Sequence, residues 1–151
     1  MLCQPSLALD SDRDKDINIR ADAAIVDDKA GISIYSGSVK IDQGTLKISA
    51  DVVKVIMKGS EVMQLIASMK PQSKSLAHFE QKQQKDQKLV SADAKTITYF
   101  FQEERLHLVG NAYLKQTRNS FSGELLYYDV AKGIVDVKGR VKIVISPKTS
   151  N

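Results

Sequence analysis

A period of two runs through this sequence and is interrupted every few residues. The stretch from Tyr35 to Val55, YSGSVKIDQGTLKISADVVKV, carries the pattern most clearly. Val39 and Ile41 alternate with Ser38, Lys40 and Asp42. Leu46 and Ile48 alternate with Thr45, Lys47 and Ser49, and Val53 and Val55 alternate with Val52 and Lys54. Successive side chains of an extended strand point to opposite faces, so each segment has one apolar and one wet face. Gln43-Gly44 reads as a turn and Ala50-Asp51 as a corner between strands. Three short strand segments so closely punctuated predict an all-β chain of closed or stacked architecture rather than a helix-covered sheet.

The same phrases return. Arg20-Ala21-Asp22, Ser49-Ala50-Asp51, Ser91-Ala92-Asp93 and Ser122-Gly123-Glu124 read as four like corners, each before an alternating strand. A second phrase, Gly then a small or polar residue then an apolar strand, begins at Gly37, Gly110 and Gly139. Asp22 to Gly37 and Glu124 to Gly139 are both 15 residues, and Gly37 to Asp51 and Gly110 to Glu124 are both 14. The chain therefore repeats at about 29 residues with an expanded middle copy, a period that means stacked units, each too small to bury its own apolar face. An acid placed alike in four units has a turn role, such as accepting backbone N–H bonds, rather than a catalytic one.

The remaining segments fit this scheme. Ile17 and Ile19, flanking Asn18, form a first strand, and Asp27 to Gly31 is a hairpin turn. Val62 to Ala67 is a strand, Lys70-Pro71 breaks the pairing, and Ala77 to Gln81 carries Phe79. Glu80 to Lys88, EQKQQKDQK, has no apolar stripe and reads as a hairpin tip. Ile97 and Tyr99 share one face; Leu106 and Leu108 face opposite to His107. Leu114, Phe121, Leu126 and Tyr128 follow, and Val135, Val137, Val141, Ile143 and Ile145 make the last hairpin. The expected organisation is a signal-peptide remnant at 1–9, a charged linker at 10–16, the β domain at 17–146 and a polar tail at 147–151. The remnant is read from MLCQPSLAL, which ends in the small-x-small Ser6-Leu7-Ala8 and implies export.

Composition narrows the function. The chain of 151 residues is long enough for one domain with a real core. No apolar run approaches the ~20 residues of a spanning helix. The net charge of +4 is spread along strand faces, aromatics are 6% and Trp is absent, which argues against nucleic acid. Cys3 is the single cysteine, so no intrachain disulfide forms. The two histidines, His78 and His107, stand in no metal-ligand spacing, and neither a phosphate loop nor a nucleophile elbow is present. No metal, no cofactor and no catalytic residue are expected. The first strand (Ile17, Asn18, Ile19) and the last (Val141, Ile143, Ile145) would leave unpaired edges and an open apolar interior, an invitation to head-to-tail addition of further copies.

The runs IRADAAIVDDKAGISIYSGSVKIDQGTLKISADVVKV, LVGNAYLKQ and GRVKIVI, spanning about Asp16 to Pro147, resemble the LptA (OstA-like) family of periplasmic lipopolysaccharide-transport proteins. Where that family has a Gly-rich turn this chain has Met69-Lys70-Pro71 and its Lys/Gln-rich tip. The resemblance implies a V-shaped β-jellyroll of short antiparallel strands, open at both ends. It implies copies stacked head to tail between an LptC-like inner-membrane protein and the N-terminal domain of an LptD-like outer-membrane protein. It further implies that lipopolysaccharide acyl chains lie in an apolar groove, lined by Ile17, Ile19, Phe79, Ile97 and Tyr99. Periodicity adds Val39, Ile41, Leu114 and Tyr128 to the lining; ordinary core packing is the alternative at each of the nine. Two other roles stay open: an OstA-like adaptor domain of the LptC or LptD type, and a carbohydrate-acting β-helix or cupin-like enzyme.

Overall fold

The structure, a computed structural model, describes residues 12, 14–83 and 87–147. The proposed signal-peptide remnant and all of the polar tail but Pro147 lie outside the described residues. The described chain is all β: β1 (Asn18–Arg20), β2 (Ala23–Asp27), β3 (Ile32–Gln43), β4 (Leu46–Lys58), β5 (Glu61–Ser68), β6 (Ala77–Lys82), β7 (Leu89–Ala94), β8 (Thr96–Phe100), β9 (Arg105–Lys115), β10 (Asn119–Asp129), β11 (Ile134–Lys138) and β12 (Lys142–Ile145). Every pairing is antiparallel.

Four strands, β3, β4, β9 and β10, are long and bend over one crease, so each serves two sheets. The first sheet runs β2, β3, β4, β5, β8, β9, β10, β11. The second runs β1, β3, β4, β6, β7, β9, β10, β12. The path β4–β5–β8–β9–β7–β6 returns to β4, so the middle of the molecule is a closed circuit of strands while β1, β2, β11 and β12 are free edges. The three short segments expected between Tyr35 and Val55 are thus parts of two long strands. Ala50-Asp51 bends β4 without ending it, because the neighbouring strands bend at the same level.

Three of the crease bends share one backbone device. Gly37-Ser38, Gly110-Asn111 and Gly139-Arg140 all take positive φ at both residues, with glycine φ of 84 to 88°. That region is open to glycine at no steric cost and costs other residues free energy. Each glycine faces a residue 15 positions earlier: a Cβ on Gly37 would meet Asp22, one on Gly110 would meet Lys95, and one on Gly139 would meet Glu124. Backbone bonds tie these pairs, Lys95 N to Gly110 O (2.8 Å) and Glu124 N to Gly139 O (2.9 Å). The third crease position is therefore Lys95, not Asp93; Ser91-Ala92-Asp93 lies within β7, paired to β6 and β9. Among the four acids, Asp51 takes the expected role, its Oδ2 accepting from the Lys70 backbone N–H at 2.9 Å.

The rim opposite the crease carries the turns. Asp27 and Asp129 cap two alike: each Oδ1 accepts a backbone N–H three residues on, from Ala30 and Lys132, and a positive-φ glycine, Gly31 or Gly133, closes the loop. On the other sheet, Asp12, within the stretch read as a charged linker, is buried against the β3–β4 turn. Its carboxylate accepts from Thr45 N (3.0 Å), Thr45 Oγ1 (2.6 Å) and Gln81 Nε2 (3.1 Å). The tip expected over Glu80 to Lys88 is shorter, since Glu80 to Lys82 continue β6.

Replacing Gly37 by Ala should lower unfolding stability by about 2–4 kcal/mol, combining the positive-φ cost with displacement of the Asp22 Cβ that lies 2.6 Å from the new atom. Gly59, also at positive φ but with open space around it, should lose only about 1 kcal/mol on the same change. Urea unfolding of the two variants checks the difference; equal losses would remove the crease contact as the cause.

Candidate functional site

The interior between the sheets is built from rows of inward side chains that cross the whole molecule. In the second sheet one register row reads Ile19, Ile41, Ile48, Phe79, Ala92, Leu114, Phe121, Ile143. In the first sheet two rows face it: Ala24, Tyr35, Val53, Ala67, Ile97, Leu108, Leu126, Val137, and Val26, Ser33, Val55, Leu65, Tyr99, Leu106, Tyr128, Val135. Because strand side chains alternate strictly, the inner face is nearly all apolar and the polar residues fall outside.

Seven of the residues expected to line a groove, Val39, Ile41, Phe79, Ile97, Tyr99, Leu114 and Tyr128, are buried here, none more than 6% exposed. At the waist the slot is filled by these side chains themselves. Phe79 of β6 meets Tyr99 of β8 across it at 5.3 Å between ring centroids, and Tyr99 meets Phe101 at 4.8 Å. At the rim, Gln83 Nε2 donates to Tyr128 Oη at 2.9 Å, joining the β6–β7 turn of the second sheet to the first. Each fully buried Leu, Ile or Phe contributes roughly 1.5–3 kcal/mol by leaving water, so this closed state is favourable without a ligand.

The interior loosens toward both ends. Ile17 and Ile19 are half-buried. Inward-facing Val26 is 61% exposed at one end, and Ile143 and Ile145 are 49% and 70% exposed at the other. All five residues of β2 are exposed. Val141 lies just before β12 and is exposed with it. The proposed edge residues Ile17, Asn18, Ile19, Val141, Ile143 and Ile145 therefore gather at two opposite, unpaired ends. Interior residues that the alternation showed as strand positions but that were not assigned to the site include Leu46, Leu65, Leu106 and Leu126.

The outer faces carry the titratable groups. His107 points outward as expected but is not simply wet. It lies between Phe100 (4.7 Å) and Tyr127 (4.3 Å), and burial together with the charge of Arg105 lowers its pKa. His78, on the outer face of the second sheet, has Nδ1 2.8 Å from Asp93 Oδ1 and Nε2 2.9 Å from Glu80 Oε1. Burial alone would lower its pKa; hydrogen bonds to Asp93 and Glu80 and their charges outweigh that, and the pKa is raised above 6.5. A neutral imidazole has only one N–H, so both contacts are satisfied as donors only when the ring is protonated. Among the described residues no group of three or more His, Cys, Asp or Glu side chains is arranged to hold a metal ion.

The sequence and the fold both match known proteins. The family described as LptA/(LptD N-terminal domain) LPS transport protein matches residues 18–134. The chain belongs to that family. Among curated relatives, the lipopolysaccharide export system protein LptH of Pseudomonas aeruginosa is 33% identical, over 95% of this chain and 86% of the relative. The lipopolysaccharide export system protein LptA of Escherichia coli K12 is 31% identical, over 95% of this chain and 77% of the relative. The crystal structure of LptH, described as the LptA-homologous periplasmic component of the lipopolysaccharide transport device, superposes with a TM-score of 0.80. It is 30% identical and covers 91% of this chain and 99% of that one. The jellyroll expected from the sequence is thus the family's fold.

Two outcomes follow from the site. Phe79→Ala should cost about 3–5 kcal/mol of stability, since its ring bridges the sheets at 1% exposure; a loss below about 1 kcal/mol in urea unfolding would mean that the waist is not packed as described. For His78 the folded pKa lies above the unfolded value, so its contribution is complete below pH 6.5 and fades as pH rises through the folded pKa. Thermal melts of wild type and His78→Gln should differ most in the acid range and converge in the alkaline range.

Proposed function

We propose that this protein is a periplasmic carrier of lipopolysaccharide that bridges inner and outer membranes, holding the lipid's acyl chains between its two sheets and extending itself by head-to-tail stacking. The observation that carries the reading is the pair of nearly all-apolar inner faces that run through the molecule and emerge at both ends. A saturated chain of about a dozen carbons loses roughly 10 kcal/mol if it must cross water exposed, at about 0.8 kcal/mol per methylene. A continuous apolar path removes that cost at every step. The role is that of a carrier, without a chemical step. The relatives carry lipopolysaccharide export in their names, and one is described as a periplasmic component.

Strand directions support the stacking. β2 runs from crease to rim and β11 from rim to crease, so β11 of one copy lies antiparallel beside β2 of the next. The same holds for β12 beside β1, with strands of similar length in each pair. In that arrangement the inner rows continue: Val135 meets Val26, Val137 meets Ala24 and Ile143 meets Ile19 of the next copy. The edges at the ends of such a stack suit related folds, an LptC-like protein on one side and an LptD-like N-terminal domain on the other.

Deleting residues 141–145 should abolish concentration-dependent association while the rest of the chain stays folded; light scattering that shows unchanged association would sink the edge-pairing arrangement. A photo-reactive residue at Ile17 or Tyr99 should capture lipopolysaccharide in cells, and one at His107 should not. Equal labelling at all three would refute the interior path.

A further inference from the structure

The outer face of the second sheet holds an arrangement that the interior path does not use. Arg20 of β1 stands directly opposite Lys40 of β3, and Lys47 of β4 stands opposite Asp42, one row nearer the rim. Like charges directly opposite across an antiparallel pair are destabilising. The neighbouring carboxylates do not relieve them. Asp42 Oδ1 accepts from Asn18 Nδ2 at 3.1 Å, Glu80 Oε1 is 2.9 Å from His78 Nε2, and Asp93 is held by the other nitrogen of the same ring. Among the described residues, Arg20, Lys40 and Lys47 have no ion pair within 4 Å, although Glu80 stands opposite Lys47 in register. Arg20, Lys40, Asp42, Lys47, Ser49, His78 and Glu80 line an open basin of about 310 Å³.

We propose that this basin is a binding site for a phosphate-class anion, held by Arg20, Lys40 and Lys47. A planar guanidinium presents two parallel N–H donors to phosphate oxygens, and the two ammonium groups add point charges from the neighbouring strands. Ser49, opposite Lys40, supplies a hydroxyl donor at the floor. The His78 bridge has a part as well: by engaging Glu80 and Asp93 it keeps the two carboxylates off the cations. The anion has two sources of the same chemistry, free phosphate or the phosphorylated headgroup of a lipid whose chains lie in the slot. The second source rests on the carrier reading above. Lys47 lies close to the rim, two residues beyond the Thr45 turn position.

The test uses the full chain and two probes. Inorganic phosphate is titrated while backbone amide shifts are followed by NMR. Wild type should show saturable shifts at Arg20, Lys40, Lys47 and Ser49, and the triple variant Arg20→Gln/Lys40→Gln/Lys47→Gln should bind at least about tenfold more weakly. A variant with the same charge loss on the first sheet, Lys54→Gln/Lys58→Gln/Lys138→Gln, should bind within about twofold of wild type. Thermal melts give a second readout: phosphate should raise the melting temperature of wild type more than chloride at equal ionic strength, and the basin variant should lose that difference. In the second arm, phosphorylated lipid A is compared with its dephosphorylated form. If the headgroup uses the basin, wild type prefers the phosphorylated lipid and the basin variant does not discriminate. Equal losses in both triple variants, or no phosphate dependence with either probe, would overturn the site. Binding of dephosphorylated lipid A to the basin variant reports the slot alone, so the site can fail while the carrier reading stands.

Discussion

Two sheets that share one interior must bend together, and the crease is the constraint on which the rest of this molecule depends. β3, β4, β9 and β10 each contribute to both sheets, so the sheets are joined covalently along one side. A smooth β-strand does not turn that sharply while keeping its ladder. In β3 and β9, and between β11 and β12, the turn is made by paired positive-φ residues beginning at Gly37, Gly110 and Gly139, each opposite a side chain that occupies the space a Cβ would need. The bend in turn sets the facing distance, which lets Phe79 reach Tyr99 and lets Gln83 reach Tyr128 at the rim. Packing, rather than hydrogen bonding between sheets, then carries most of the stability, since the inner rows are almost wholly apolar.

The wet faces are organised as closely as the dry one. On the first sheet, Arg105, Phe100, His107 and Tyr127 form a run of cation–ring and ring–ring contacts that covers aromatic surface left outside the core. On the second sheet, one imidazole engages two carboxylates and leaves three cations unneutralised. The molecule thus has an aromatic outer face and a cationic outer face on either side of its apolar interior. A difference in net charge alone, +4 over the chain, would not have shown this separation.

Much of this was legible in the sequence, for a physical reason. Period-two alternation follows from the pleat itself, so Val39, Ile41, Leu114 and Tyr128 could be assigned to the inner face without coordinates. The repeated glycine phrases at Gly37, Gly110 and Gly139 lie on the crease, where a positive-φ bend is needed. What the alternation does not contain is where a strand ends. Ala50-Asp51 reads as a corner between two strands, and whether the ladder continues through it depends on the neighbours bending at the same level. The alignment of Asp93 with the other corner acids failed similarly. It is a strand residue engaged by His78, and the crease passes two positions later, at Lys95. Contacts across the slot, such as Gln83 with Tyr128, join segments 45 residues apart and have no local signature.

The closed circuit of β4, β5, β8, β9, β7 and β6 has a consequence for traffic. Inward side chains are exposed at the ends and tightly packed in the middle, so the interior has a waist. On the proposed carrier role, a passenger that enters at either end passes the middle only while Phe79, Tyr99 and Tyr128 are displaced. On that role, transit time is set by how often the waist loosens, and tighter binding at the mouths would fill the interior without speeding passage.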